Sequence, residues 1–70
     1  MKLIEANSST IKEFGYDNNL HRLYVNFHNG REYVYADVPV NVYEAMVNAD
    51  SKGKFLNANI IGRYNYVRIK

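Results

Sequence analysis

The chain has 70 residues, of which 47% are hydrophobic and 14% aromatic, and its formal net charge is +2. This length allows one domain with a small core, and we expect residues 8–70 to form it behind an N-terminal arm at residues 1–7. The sequence has no cysteine, which excludes disulfides and thiolate chemistry and favours a cytoplasmic location. Its apolar runs are too short to cross a membrane.

Three strands are predicted in the first half of the domain. The first covers residues 11–16 and is followed by turn-forming Asp and Asn residues. Residues 23–27 alternate between apolar and polar side chains, which is typical of a half-buried strand. Asn29-Gly30 then predicts a two-residue type I′ hairpin turn, and residues 32–38 form the returning strand.

A two-residue loop would place Asn26 opposite Tyr33 and Tyr24 opposite Tyr35, and cross-strand partners share a face. The predicted core face consists of apolar side chains, namely Leu23, Val25, Phe27, Val34 and Ala36. The predicted second face is both aromatic and polar, and it consists of Arg22, Tyr24, Asn26, Tyr33, Tyr35 and Asp37.

Two helices and a final strand are predicted after Pro39, which cannot donate to a strand ladder. Asn41 is expected to cap the first helix and Ser51 the second, and Gly62 is a plausible helix stop. Residues 64–69 alternate again. The predicted fold is α+β, with a three-stranded antiparallel meander, two short helices packed on one face, and a C-terminal strand.

The seven tyrosines of the chain are the main candidates for a binding surface. Tyr24, Tyr33 and Tyr35, with Arg22 beside them, could stack on nucleic-acid bases or anchor a protein. They could equally form the ordinary wet face of a sheet. Tyr64, Tyr66 and Arg68 would extend this surface if the last strand joins the sheet, and would be core if it packs against the helices.

The basic residues are concentrated at the C-terminal end. Residues 51–70 contain no acidic residue and carry five cations: Lys52, Lys54, Arg63, Arg68 and Lys70. Such a stretch can attract phosphate, or it can be a solvated surface. Gly53 would let a phosphate approach a helix N-terminus closely, or it serves packing. Asn57 could bind a base or cap backbone.

Catalytic and metal sites are not indicated. His21 and His28 are the only histidines, and strand alternation places them on opposite faces, so we predict no metal site and no cofactor. No Ser, His and acid stand in an order that suggests a catalytic triad. We therefore expect a protein that is not an enzyme.

The ordered pattern of the whole chain resembles a known family. The residues that carry the resemblance are Ile11, Gly15-Tyr16-Asp17, Leu23, Val25, Phe27, Asn29-Gly30, Tyr33, Tyr35, Asp37-Val38-Pro39, Val42-Tyr43, Ala49, Ser51, Gly53, Phe55, Asn57, Ile60, Tyr64, Tyr66 and Arg68-Ile69. Together they resemble the KTSC domain, named after the C-terminal extension of some lysyl-tRNA synthetases. The family hallmark is a central Tyr-x-Tyr, matched by Tyr33-Val34-Tyr35, and Asn65 departs from an expected proline.

The resemblance implies a small module that also occurs free-standing, including in phage-like settings, and the synthetase context suggests RNA binding by analogy. We predict a non-enzymatic binding module whose partner is RNA or single-stranded nucleic acid. The alternatives are a protein-interaction module, such as a small phage-type protein that binds a host factor, and a homo-oligomer that sequesters a nucleotide-like ligand. No membrane partner is expected.

Overall fold

A five-stranded antiparallel sheet forms one layer of the computed structural model, which describes residues 1–70, and two helices form the other layer. The strands are β1 (Ile4–Glu5), β2 (Ile11–Asp17), β3 (Arg22–Phe27), β4 (Glu32–Tyr35) and β5 (Tyr66–Arg68), and the helices are α1 (Val40–Asn48) and α2 (Lys52–Asn59). The strands lie in sequence order, each antiparallel to the next. The predicted α+β class is confirmed, and the first seven residues add a fifth strand to the predicted four.

The register of the β3–β4 hairpin differs from the prediction by one residue, because Val25 rather than Asn26 pairs with Tyr33. The Gly30 N–H donates to the Phe27 carbonyl at 3.0 Å. Gly30 has a φ of +90°, whereas Asn29 keeps a negative φ. This is a type I turn closed by a glycine bulge, while a type I′ turn needs positive φ at both central residues. The predicted two-residue loop is therefore wrong.

The shift by one residue exchanges the two faces of β4, since side chains alternate along a strand. Tyr35 pairs with Leu23 and is only 2% exposed, so its predicted place on the exposed face is wrong. Tyr33 shares its face and packs against the core. Val34 and Ala36, predicted as core, lie on the opposite face and remain half-buried.

The core lies between the sheet and the helices. Ten residues form it: Ala6, Ile11, Phe14, Leu23, Val25, Tyr35, Val38, Met46, Leu56 and Ile60. We call the sheet face that carries Phe14, Leu23, Val25 and Tyr35 the inner face, and the opposite one the outer face. No helix is long and apolar enough to span a bilayer.

The helix ends follow the sequence signals only in part. The Ser51 hydroxyl accepts a hydrogen bond from the Lys54 N–H at 3.2 Å, which confirms the predicted cap of α2. The predicted cap of α1 at Asn41 is wrong, because Pro39 holds the N-cap position and makes no side-chain cap bond. Proline's fixed φ suits the start of a helix and sets this boundary earlier.

Candidate functional site

A cluster of aromatic rings lies on the inner face where β4 pairs with β5. We call Phe27, Tyr33, Tyr35 and Tyr66 the edge cluster. The Tyr33 and Tyr66 rings stack with centroids 5.3 Å apart and planes 11° from parallel. Phe27 meets the Tyr33 ring edge-to-face at 5.5 Å, and Tyr35 lies 5.8 Å from Tyr66. Such geometries add stability beyond the burial of area alone.

Exposure rises steeply across the cluster. Tyr35 is 2% exposed, while Tyr66 on the neighbouring strand is 57% exposed. Burial, followed by the nearby phenols of Tyr33 and Tyr66, raises the pKa of the Tyr35 phenol to about 12. The Tyr35 phenol is therefore uncharged at ordinary pH and lies at the buried base of the cluster, whereas the Tyr66 ring is accessible to solvent.

A cleft of about 310 Å³ opens beside this ring. Its walls combine the edge cluster with the β3–β4 loop and the turn after α2, and they consist of Thr10, Phe27, Asn29, Arg31, Tyr33, Tyr35, Ile61 and Tyr66. Arg68 lies opposite Tyr33 in the register of β5, on the same face. An exposed ring and Arg31 thus border one apolar cleft, and Arg68 lies on the same face of the sheet.

The sequence places these side chains through simple alternation. Tyr33 and Tyr35 are two residues apart on β4, and Tyr66 and Arg68 are two apart on β5, so all four share the inner face. The Ala36 N–H donates to the Asn65 carbonyl at 2.8 Å and extends the pairing beyond the end of β4. The last strand therefore joins the sheet, the first of the two placements that the sequence allowed.

Arg22 and Tyr24, which the sequence grouped with Tyr33 and Tyr35, lie on the outer face instead. Tyr24 pairs with Val34, and Arg22 pairs with Asp17. They line a different depression of about 420 Å³. Tyr66, on the edge strand β5, lines this depression as well as the cleft, whereas Tyr33 and Tyr35 lie on the other face of the sheet.

The remaining predicted residues lie on and after α2. The Lys52 ammonium donates to the Ala49 carbonyl at 2.6 Å, and the Asn57 amide donates to the Gly53 carbonyl at 3.2 Å. A Cβ added at Gly53 would meet only the Ser8 hydroxyl at 3.5 Å, an ordinary contact, so no close approach requires glycine there. Lys54 is exposed next to them.

Arg63 and Tyr64 follow α2 in the turn that leads to β5. Arg63 is exposed and donates from Nε to the Ala58 carbonyl at 3.3 Å. Tyr64 is half-buried against the core. The predicted residues therefore form three groups. The first is the edge cluster with Arg68, and the second is the outer-face pair of Arg22 and Tyr24. The third, which we call the α2 group, consists of Lys52, Gly53, Lys54, Asn57, Arg63 and Tyr64.

Sequence reasoning missed Arg31 and Asn29 as wall residues of the cleft. Asn29 was interpreted only as a turn signal, although its side-chain oxygen also accepts from the Arg31 N–H at 3.0 Å. The signal available was the glycine after a single Asn, which also fits a bulged three-residue loop. That register points Arg31 to the inner face with Tyr33.

Both histidines make structural hydrogen bonds. His21 Nδ1 lies 3.0 Å from the Tyr16 hydroxyl, which donates to the Val38 carbonyl. His28 Nε2 lies 2.8 Å from the Ser8 carbonyl. Tyr16 also stacks on Tyr43 at 4.8 Å, and burial, followed by the nearby Asp17 carboxylate, raises its pKa. No three His, Asp or Glu side chains converge as metal ligands.

Comparisons with known proteins match this arrangement along nearly the whole chain. The KTSC domain matches residues 7–64. Part of a lysine–tRNA ligase of Trichormus variabilis is 34% identical over 67 residues, and so is part of one from Nostoc punctiforme. These alignments cover 96% of this chain but 12% of each ligase, so the chain spans a small part of those relatives.

Similar proteins of the same size also exist. An uncharacterized protein of Stutzerimonas stutzeri is 39% identical over 57 residues, which cover 81% of this chain and 80% of that protein. The crystal structure of a KTSC domain protein from Yersinia pestis superimposes with a TM-score of 0.92 at 30% identity, over 99% of this chain and 97% of that one. The chain belongs to the KTSC domain family.

Proposed function

We propose that this protein is a non-enzymatic module that binds single-stranded RNA at the edge cluster. The observation that carries the proposal is the accessible Tyr66 ring, stacked on Tyr33 beside a cleft that Arg31 lines, with Arg68 opposite Tyr33 on the same face. An unpaired base would stack on the free side of the Tyr66 ring. Base–aromatic stacking contributes about 1–3 kcal/mol per base.

The charged and polar groups around the cleft suit the rest of a nucleotide. Arg31 and Arg68 are exposed and can bind phosphate oxygens, and Lys70 adds a third cation at the end of β5. The Asn29 oxygen is occupied by the Arg31 N–H, which leaves the Asn29 amide N–H groups to donate to a base edge. Single-stranded RNA exposes such edges, whereas duplex RNA hides them.

The relatives support an RNA partner over DNA. A ligase that acts on lysine and tRNA carries a region 34% identical to this chain. A module joined to such an enzyme can add affinity for the same RNA without taking part in the chemistry. We extend this reasoning to the present chain, because it is 34% identical to that region of the ligase.

The α2 group is a second, weaker part of the proposed surface. Lys54 and Arg63 are exposed, and Lys52 is half-buried with its ammonium on the Ala49 carbonyl. We propose that they contact phosphates of a strand that extends beyond the cleft. Their removal should weaken binding less than loss of the edge arginines.

Stacking is tested by fluorescence anisotropy with a labelled, unstructured RNA oligonucleotide at low salt. Tyr66→Ala should weaken binding by about 5–150-fold, the equivalent of one stacked base, whereas Tyr66→Phe should bind as tightly as wild type. Tyr24→Ala on the outer face is the matched control and should leave the affinity unchanged. Equal losses for the two alanine variants would refute the edge cluster as the site.

The phosphate contacts are tested by the salt dependence of the same binding. Three cations on a single strand predict a log–log slope of about −2. Arg68→Gln should make this slope shallower by about 0.7, while Arg22→Gln, an exposed arginine on the outer face, should leave it unchanged. Absence of RNA binding at high micromolar protein would overturn the proposed function and favour a protein partner.

A further inference from the structure

The cleft beside Tyr66 is small and combines apolar walls with a few polar groups. Its volume of about 310 Å³ lies at the lower end of the range for small-molecule sites. Phe27, Ile61 and Tyr66 supply apolar wall for the face of a ring. The polar groups of the wall therefore decide which base edge the cleft accepts.

The Asn29 amide offers hydrogen-bond donors to a ligand. Its oxygen Oδ1 accepts from the Arg31 N–H at 3.0 Å. Because only the oxygen of an amide can accept from an N–H group, this bond fixes which end of the side chain is oxygen and which is nitrogen. The nitrogen Nδ2 keeps both of its N–H groups for a base.

The backbone acceptors at this end of the cleft are already occupied. The Phe27 carbonyl accepts from the Gly30 N–H at 3.0 Å, and the Arg31 carbonyl accepts from the Phe27 N–H at 2.8 Å. The Thr10 carbonyl accepts from the His28 N–H at 3.0 Å. No carboxylate lines the cleft, and the Arg31 guanidinium only donates. Hydroxyl groups can donate or accept, so the side chains of fixed polarity in this wall are donors.

We propose that the cleft recognises guanine, with the Asn29 amide donating to O6 and the Arg31 guanidinium donating to N7. The inference rests on the proposed function, because stacking on Tyr66 holds the base. Guanine alone among the four bases has an edge with two neighbouring acceptors and no donor. Adenine places an amino group beside N7, cytosine presents an amino group, and uracil offers the single acceptor O4.

The β3–β4 loop holds both donors in place before RNA binds. The Phe27 and Arg31 backbones are bonded to each other, and the Arg31 N–H is bonded to Asn29. A loop that is already ordered loses less entropy on binding. The Arg31 guanidinium has five N–H groups, so it can donate to N7 and still bind a phosphate oxygen. Adenine would instead bring its amino group against the Asn29 nitrogen, which leaves donors unpaired and costs affinity.

Fluorescence anisotropy with short labelled RNAs tests each atom of the base on the wild-type protein. The RNAs carry guanosine, inosine, 7-deazaguanosine or adenosine at the centre of an oligouridine. The guanosine RNA should bind at least about fivefold more tightly than the adenosine RNA. Inosine keeps O6 and N7 and lacks only the 2-amino group, so it should bind as tightly as guanosine. The 7-deazaguanosine RNA lacks N7 and should bind about 2–12-fold more weakly.

A substitution at Asn29 tests the contact to O6. Asn29→Asp keeps an oxygen for the Arg31 N–H and replaces the free donors with an acceptor. The adenosine RNA should then bind at least as tightly as the guanosine RNA. The ratio between guanosine and 7-deazaguanosine, which reports on Arg31, should stay as in wild type. Asn18→Asp is the matched control, because it makes the same charge change at an exposed position beyond the other end of β3 and should keep the preference for guanosine.

The possible failures separate this inference from the proposed function. Equal affinity for the guanosine and adenosine RNAs would overturn guanine recognition and leave stacking on Tyr66 in place. Weaker binding of inosine than of guanosine would also overturn it, because the 2-amino group would then make the selective contact. A preference for guanosine that persists in Asn29→Asp would overturn the role of Asn29. Absence of binding to all four RNAs would overturn the proposed function together with the inference.

Discussion

The inner face has one half on β2 and β3 and another on β4 and β5, and both halves carry the same alternation of aromatic and aliphatic residues. We call the first half the closed side, because its rings are buried, and the second the open side, because it borders the cleft. On the β2–β3 side, Phe14 and Val25 are fully buried, and Tyr43 of α1 meets the Phe14 ring at 5.9 Å. On the β4–β5 side, Tyr66 is 57% exposed beside a cleft. Coverage by the helices, and not the strand pattern, decides which aromatic ring is core and which is surface.

The largest expected effect is a substitution on the closed side. Phe14→Ala removes a fully buried ring and should lower the free energy of unfolding by about 3–5 kcal/mol. Tyr66→Ala on the open side should cost less than about 1 kcal/mol. Chemical denaturation of both variants measures the difference. Similar losses would show that the open side is as tightly packed as the closed side.

The outer face of β2 depends on the N-terminal residues that lie over Gly15, just before β1. An added Cβ there would lie 2.9 Å from the Lys2 carbonyl oxygen and 2.9 Å from Leu3, and the backbone atom cannot move without displacing β1. Gly15→Ala should therefore cost about 1–3 kcal/mol. It should also speed hydrogen exchange at the Ala6 N–H, which is bonded to the Lys12 carbonyl at 3.2 Å.

Gly53→Ala is the matched control for that substitution. Its added Cβ meets only the Ser8 hydroxyl at 3.5 Å, and alanine is the better helix former. The variant should be stabilised by up to about 1 kcal/mol. If Gly15→Ala were also neutral or stabilising, Lys2 and Leu3 would not pack tightly over the outer face at Gly15.

The element order from β2 onwards and the α+β class could be predicted from the sequence, because alternation, the Asn-Gly turn and the Ser51 cap are local signals. The register could not, since a two-residue and a bulged three-residue loop share the same Asn-Gly letters. The one-residue difference in loop length decides whether the Tyr35 side chain is exposed or part of the core. The sequence also could not show that β5 would carry Tyr66 to the ring of Tyr33, because this contact joins strands about thirty residues apart.

Substitutions in the β3–β4 loop, which sets the register of the hairpin, should lower the free energy of unfolding by intermediate amounts. Gly30 has a φ of +90° and open space around it, so Gly30→Ala should cost about 1–2 kcal/mol through backbone strain alone. Asn29→Ala should cost about 0.5–1 kcal/mol, because it loses only the bond to the Arg31 N–H. In a type I′ turn both positions would need positive φ, so equal losses measured by denaturation would restore the two-residue loop.

Removal of the Tyr35 hydroxyl should change the free energy of unfolding least at neutral pH. Tyr35 lies at the boundary between the closed and open sides. Burial, with Tyr33 and Tyr66 nearby, raises its pKa from 10.0 to about 12. Between these values the unfolded chain releases a proton that the folded chain retains, so stability falls as pH rises through this window and is fully present below pH 10.

Tyr35→Phe should remove part of that alkaline loss while leaving the ring packing in place. Thermal melts recorded from neutral pH to about pH 12 would show a shallower decline for this variant. Ile11→Val is the matched control, because it trims a fully buried aliphatic side chain without removing a phenol and should keep the wild-type slope. An unchanged slope in Tyr35→Phe would mean that water reaches this hydroxyl through the cleft, and the closed side would then end at Leu23 rather than at Tyr35.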